Sequence, residues 1–508
     1  MTKPPILLLF CVAPLLLAGK DAPVDAGAAQ LVWERSVYTP GQDTGGGVAV
    51  LASGDIIVAG ATNFRETEGD KQSPSFDETY KSDAWVVALD ATGKRKWDLA
   101  LGGADYDNFS GIVSTPNDQL IAVGTSQSEP GPGKSAPHHR GLDLWVVGIS
   151  SDGARLWDKT FHQGYWNVPR SICRDSGNGC FVGGETAPGY YDTQGWVLHL
   201  DAIGNLIWEH FYGDSAATVS AVAFADDGRL ILGGDRHTPP VGLPYINNFW
   251  MACADPANGS LRWQLLISKG QSSRCRAVLA TRDGGAVGVG HFVSTASHEL
   301  GKDIVWIVKA SRTGERLWDR ELRNPPDISI PEGVVETDDG GMVITSNGGD
   351  WGREVRIVRL TPDGDTQWTR SFIAGGWIPN RSCITAADGG WLVLSLADGP
   401  SPDRANSSVS NSSDLWLMRF APELTFVQRD PPELIASRSL GSHLSTDGFR
   451  FSLIGTNGGR YVTERSADLI SWEPFTTNTA SMSDVKLFDP HATAQNKTHY
   501  RTRTLPSP

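Results

Sequence analysis

The 508-residue sequence has little of what activity is usually read from. Its six cysteines include no C-x-x-C pair and no Cys/His cluster with metal-ligand spacing, so no zinc or iron–sulfur signature is present. It lacks a nucleophile elbow, a phosphate-binding loop, and a GxGxxG that opens a helix. Basic runs are missing and the formal net charge is −14, which argues against nucleic acid as a partner. Long apolar runs are missing as well, apart from Ile6 to Leu17. That run is too short to span a bilayer. After Met1-Thr2-Lys3 it reads as a secretory signal, with residues 1–29 forming signal peptide and flexible N-terminus. Cys11 follows Leu9-Phe10 and so lacks the small residue a lipoprotein signal needs there. The expectation is an exported chain, secreted or periplasmic, with no transmembrane segment once mature.

What is present is repetition. From Asp83 to Trp97 an apolar run, a turn at Gly93 and a second Trp make a hairpin. The pattern returns at Trp145–Gly153–Trp157, Trp196–Gly204–Trp208, Trp250–Gly259–Trp263 and Trp306–Gly314–Trp318. Arg356–Gly364–Trp368 replaces the first Trp, and Asp414-Leu415-Trp416 opens a last copy. The second Trp recurs at 33, 97, 157, 208, 263, 318 and 368, a period that indicates an array of supersecondary units. Between these anchors stand seven Asp/Gly turns, from Ser53-Gly54-Asp55 to Asp388-Gly389-Gly390, each between two apolar strands. Four strands in each of seven units predict an all-β chain: a seven-bladed β-propeller over 30–428. A linker at 429–443 and a small β-sandwich-like module at 444–508 follow.

With strands named A to D from the axis outward, short A–B and C–D turns share one face and long B–C and D–A loops the other. Leu31 to Val37 matches strand D but precedes every strand A, so it is expected to close the seventh blade against Asp414 to Phe420. Leu424 to Val427 is the rival for that place. Acidic residues that follow the D-strand Trp, such as Asp98, Asp158 and Asp319, read as protection of an outer edge. Cys173 and Cys180 flank the turn Arg174 to Gly179 and are candidates for a cross-hairpin disulfide, which export would permit.

Aligning the units sets Gly46, Ser110, Arg170, Ser220, Arg276, Glu332 and Arg381 on one rung, read as the start of strand A on the long-loop face. The next rung is uniformly small, from Gly47 to Ser382. Arg170, Arg276 and Arg381, with Glu332, would then converge near the axis. Tyr106, Trp166 and Trp377 fall on the adjacent rim. Guanidinium forks suit carboxylate or sulfate, and flat rings suit sugar faces. Asp105 and Asp107 are the only metal candidates, in a loop too short for a recognised calcium site.

The segment Ala88-Leu-Asp-Ala-Thr-Gly-Lys-Arg-Lys-Trp97 resembles the tryptophan-docking motif of the PQQ-like quinoprotein propeller repeat. More closely, the chain resembles repeats of secreted bacterial proteins that read Asp-Gly-Gly, Val-Gly-Gly, then Asp-x-Trp-Val-Val. Tyr461 to Trp472, with Tyr500-Arg501, resembles small C-terminal modules of such proteins. The resemblance implies a fold rather than a chemistry. Quinoprotein dehydrogenases have eight blades, adjacent cysteines and a calcium site; seven units and no adjacent cysteines depart from that pattern, so no cofactor is expected. The expected function is non-catalytic binding of a glycan or protein, with an anionic ligand suited to the arginines, by a monomer through its long-loop face. The alternative is an exported carbohydrate-active enzyme. A glycosidase needs two facing carboxylates, and a lyase can use Arg with Tyr165 or His162 as base. A PQQ-dependent dehydrogenase ranks below both.

Overall fold

Each strand-forming stretch is too short and too evenly apolar to bury both faces alone, so the strands stack into blades. A computed structural model of the chain shows, between Leu31 and Phe420, seven four-stranded antiparallel sheets. Residues 31–421 are described except 77–80, 188, 190–192, 214–215, 226, 239–245, 297–301, 324–329, 349–353, 374–381, 387–388 and 399–412. Beyond 421 only the strands are described. Blade 1 is typical: A is Asp43–Val50, B Ile56–Thr62, C Asp83–Leu89 and D Arg95–Leu101. Strands B and C are buried from end to end, while D alternates towards solvent. The signal-peptide reading of 1–29 falls outside the described residues, and so does Leu424 to Val427. No helix among the described residues is long and apolar enough to cross a membrane.

The ring is closed by both ends of the chain. Leu31–Val37 pairs antiparallel with Ser413–Phe420, opposing Trp33 to Arg419, and supplies strand D of blade 7. A strand delivered from the far end of the sequence gives blade 7 its fourth strand and ties the first segment of the ring to the last.

The D-strand Trp is the contact that joins blades. Trp97 Nε1 donates to Ser151 O at 3.1 Å, Trp208 Nε1 to Pro256 O at 2.9 Å and Trp263 Nε1 to Arg312 O at 3.0 Å. Each acceptor lies in the C–D turn of the following blade, and the indole lies on that turn's glycine. A Cβ on Gly314 would stand 2.7 Å from the Trp263 ring, and one on Gly153 2.8 Å from the Trp97 ring. The C-strand indoles (Trp85, Trp145, Trp196, Trp250, Trp306) are at most 1 % exposed. Their Nε1 atoms find the residue after the D-strand Trp: Asp98 at 3.2 Å, Asp158 at 3.1 Å, Glu209 at 3.0 Å, Gln264 at 3.2 Å and Asp319 at 2.9 Å. The edge-protection reading of these acids is therefore corrected. A buried indole N–H must be satisfied, and the neighbouring strand supplies its acceptor. In blades 1 and 2 the same carboxylates also collect loop donors, Ser73 N on Asp98 at 2.9 Å and Ala136 N on Asp158 at 2.8 Å.

The disulfide expectation is also corrected: Cys173 and Cys180 are free thiols. Cys173 opposes Phe181 while Cys180 opposes Arg174, so the one-residue offset sends the two side chains to opposite faces of the sheet. They enter different hydrophobic clusters, Cys173 beside Phe181 and Cys180 beside Val182.

At the long-loop end of blades 1 to 3, strands A and C carry a polar residue at their first or second position, such as Asp43, Asp83, Asp107, Asp143 or Asn167. These cap loop N–H groups: Thr39 N donates to Asp43 Oδ2 at 2.7 Å, and Gln163 N to Asn167 Oδ1 at 2.9 Å. Burial pushes the Asp43 carboxyl up to about 8, against hydrogen bonds from Thr62 and Thr39 and with the Asp414 charge adding to the rise.

In the separate C-terminal unit, Gly448–Ile454 pairs with Glu433–Ile435, His443–Ser445 and Val485–Asp489. Arg460–Ser466 lies between Glu473–Thr479 and His499–Thr504. Strand Glu433–Ile435 falls inside the stretch read as a linker.

Three outcomes test this account. Gly314→Ala, at φ +87, should lower stability by about 2–3 kcal/mol, a left-handed penalty plus displacement of the Trp263 indole. Gly54→Ala, at φ +84 with nothing within 4 Å of the new Cβ, should cost only about 1 kcal/mol. Equal shifts in the urea midpoint would refute docking as the reason for the glycine.

Because Asp43 titrates higher when folded, its contribution is fully present below the unfolded value of about 4 and drains as pH rises to about 8. Asp43→Asn, which places there the residue blade 3 has at Asn167, should raise stability at pH 8–9 and flatten the pH 4–8 slope. A steeper slope would contradict the assignment.

Burial raises the thiols of Cys173, Cys180 and Cys275, and holds Cys383 at about 12. Thiol reagents should therefore label the buried Cys180, Cys275 and Cys383 only on unfolding, and reduction should leave the intact mass unchanged.

Candidate functional site

The aligned rung is not the start of strand A but its middle, and its distinguishing feature is a β-bulge. The A–B register shifts once in each of blades 1 to 6, skipping Gly46, Ser110, Arg170, Ser220, Arg276 and Glu332 in turn. An extra residue in one strand re-aims its side chain out of the ladder. Here it is aimed at the axis, because all six positions line one central cavity of ≈ 660 Å³. In blade 1 the position admits only glycine: a Cβ on Gly46 would stand 2.1 Å from Phe109 O of blade 2. The cavity extends to the A–B turns, where Ala52, Thr115 and Asp118 line it, so it reaches the short-turn side. Tyr106 and Trp166 are not in its wall. Arg381 and Trp377 lie outside the described residues.

The cavity thus unites Arg170, Arg276 and Glu332, but carboxylates from neighbouring strands already face the guanidiniums. Arg170 Nη2 is 2.5 Å from Glu185 Oε1, and Thr218 Oγ1 donates to Glu185 Oε2 at 2.8 Å. Burial pushes the Asp235 carboxyl up while Arg274, His237 and Arg276 pull it down. Burial likewise raises Asp303, and with the charges of Arg276 and Arg274 it lowers His291 to about 3. Arg276 Nε is itself buried without a hydrogen-bond partner. Glu185, Asp235 and His291 all follow the glycine in the middle of strand B. The units could have been aligned on that glycine, and the alignment would have shown this second polar rung.

On the long-loop face, Tyr106, Tyr165 and Trp166 are 51 %, 43 % and 44 % exposed. Lys81 lies 5.7 Å from the Tyr106 ring centroid, and Tyr165 and Trp166 meet at 6.1 Å. The two metal candidates serve the loop. Asp105 Oδ2 pairs with Lys81 Nζ at 2.9 Å, and buried Asp107 accepts from Gly103 N at 2.9 Å and Ser128 Oγ at 2.7 Å.

Beside Tyr165 is a group the sequence reading did not assemble. Asp143, the first residue of strand C in blade 2, is fully buried, and three imidazoles meet its carboxylate. His162 Nδ1 is 2.9 Å and His139 Nδ1 3.4 Å from Oδ1, while His138 Nδ1 is 3.2 Å from Oδ2. The ligand atoms of His139, Asp143 and His162 all lie within 4.8 Å of one another. The loop that carries His138 and His139 is built around Lys134, whose Nζ donates to Ser128 O and Ala136 O at 2.8 Å each.

Blade 1 repeats this loop around buried Lys71, which donates to Ser73 O at 2.7 Å. There Phe76 N caps Asp83 at 2.9 Å, as His139 N caps Asp143 at 2.7 Å. Counting from the two lysines and from Asp98 and Asp158, Ser75, Phe76 and Gly102 occupy the places of His138, His139 and His162. That alignment is the signal by which the sequence could have revealed the cluster.

No protein-family model matches the chain, and no curated protein matches it. Among solved structures, it is similar to a protein of unknown function from Dyadobacter fermentans (11 % identity, 78 % of this chain and 99 % of that one, TM-score 0.45). It is also similar to Sqt1 from Chaetomium thermophilum (11 %, 86 % and 97 %, TM-score 0.42). A third similar structure is a quinohemoprotein alcohol dehydrogenase from Comamonas testosteroni (10 %, 82 % and 79 %, TM-score 0.42).

Proposed function

We propose that the chain is an exported, non-catalytic binding propeller that holds a glycan or protein ligand on its long-loop face. The observation that carries this reading is Trp166. It stands outside both repeat registers and is 44 % exposed, whereas the C-strand tryptophans of blades 1 to 5 are at most 1 % exposed. An indole that packs no blade is a flat apolar surface left to solvent, extended by Tyr165 beside it and of the kind that receives a sugar face. An acidic ligand additionally engages Arg276, because Arg170 is already held by Glu185.

A glycan array, followed by a product assay on each hit, tests the proposal. Trp166→Ala should weaken any bound glycan about 10-fold or more, consistent with the loss of a stacking side chain worth ~1.5 kcal/mol. Arg276→Ala should weaken only acidic glycans and flatten their salt dependence. Retained affinity in Trp166→Ala refutes the aromatic platform, and product formation refutes the non-catalytic part.

A further inference from the structure

The cluster around Asp143 has the composition of a metal site, not only of a hydrogen-bond network. We propose that His139, His162 and Asp143 bind one zinc-class divalent ion through Nδ1, Nδ1 and Oδ1, with a fourth position open to water or ligand on the long-loop face. The proposal does not depend on the glycan reading.

The first argument is distance. Around a four-coordinate ion with bonds of roughly 2.0–2.2 Å, neighbouring donor atoms stand roughly 3.3–3.6 Å apart. Asp143 Oδ1 is 2.9 Å from His162 Nδ1 and 3.4 Å from His139 Nδ1, and the three ligand atoms lie within 4.8 Å of one another, so shifts of about 1 Å bring them to that geometry. The two imidazole rings stack, with centroids 4.9 Å apart and planes at 23°.

The second argument is comparison within the molecule. Blade 1 builds the same lysine-centred loop and the same capped aspartate with Ser75, Phe76 and Gly102, so the fold does not require imidazoles here. In blade 2 three of them replace the hydroxyl, phenyl ring and hydrogen of blade 1, and all three meet the same carboxylate.

The third argument is a buried polar atom. His138 Nδ1 is buried without a hydrogen-bond partner although Asp143 Oδ2 is 3.2 Å away. It stands beside the second carboxylate oxygen, which the His139 backbone N–H holds at 2.7 Å, leaving Oδ1 to the other two rings.

Two imidazoles and one carboxylate form a borderline donor set that suits zinc over magnesium or calcium, which take oxygen shells. Three protein ligands with an open position is also the arrangement of reactive rather than purely structural zinc. His139 is 43 % exposed, so the open side faces solvent.

The test uses the full chain without a histidine tag, dialysed against micromolar zinc chloride, with bound metal measured by elemental analysis. One equivalent per chain is expected, released on acidification because protons and the metal compete for the same ligand atoms. His139→Phe, the residue blade 1 uses, and His162→Ala should each reduce affinity about 100-fold while keeping the melting temperature of the metal-free protein. Failure of the unmutated chain to bind a stoichiometric ion overturns the proposal, independently of how the variants fold. Equal binding by folded His139→Phe also overturns it.

Discussion

One contact sets the architecture: an outer-strand indole lies on a turn glycine in the next blade, and in blades 1, 3, 4 and 7 it hands its N–H to that turn's backbone. Neither partner is replaceable by a generic apolar residue. The turn needs a positive φ, the ring leaves no room for a Cβ, and the N–H needs a carbonyl. Because the contact always runs from one blade to the next, it defines a direction around the ring. The direction is satisfied everywhere only if the last blade also presents an indole to the first. Trp33 does this, donating to Ala91 O at 3.3 Å from a strand that precedes the whole array.

A ring built this way constrains its centre. Inner strands from seven blades approach closely enough that one rung is restricted to Gly, Ala and Ser; a Cβ on Gly47 would stand 2.9 Å from Ile112 N. The bulge just before that rung relieves the crowding by turning one residue per blade out of the ladder and into the cavity. Charge placed there must be compensated. Strand B answers with Glu185 and Asp235 where strand A carries Arg170 and Arg276. The axial charges are thus partly settled within the protein.

The fold was legible in the sequence because its determinants are local and repeated. The Trp period, the Asp/Gly turns and the apolar strands each recur often enough to be counted, and ring closure followed from the order of strands. Residues that act across the repeat were harder to read. The bulge is invisible in a list of side chains, so Arg170 and Arg276 were aligned correctly but placed at the strand's start instead of its middle. The acids after each Trp look like edge charges until the indole on the neighbouring strand is seen to donate to them. Cys173 and Cys180 look poised to bridge until the hairpin register separates them by one residue, and so by one face.

The His/Asp cluster shows where such a molecule departs from its own rule. Repetition lets each blade serve as a reference for its neighbours, so a change confined to one blade cannot be ascribed to the needs of the fold. Asp143 in blade 2 and Asp83 in blade 1 do the same structural work, receiving a backbone N–H from a lysine-anchored loop. Of these two only Asp143 is surrounded by imidazoles, and among the described residues the neighbouring Trp166 is the one exposed indole on a strand A. Two departures from the repeat, adjacent on the same face, are difficult to attribute to packing. They mark the junction of blades 2 and 3 as the part of the ring whose side chains answer to something other than the ring.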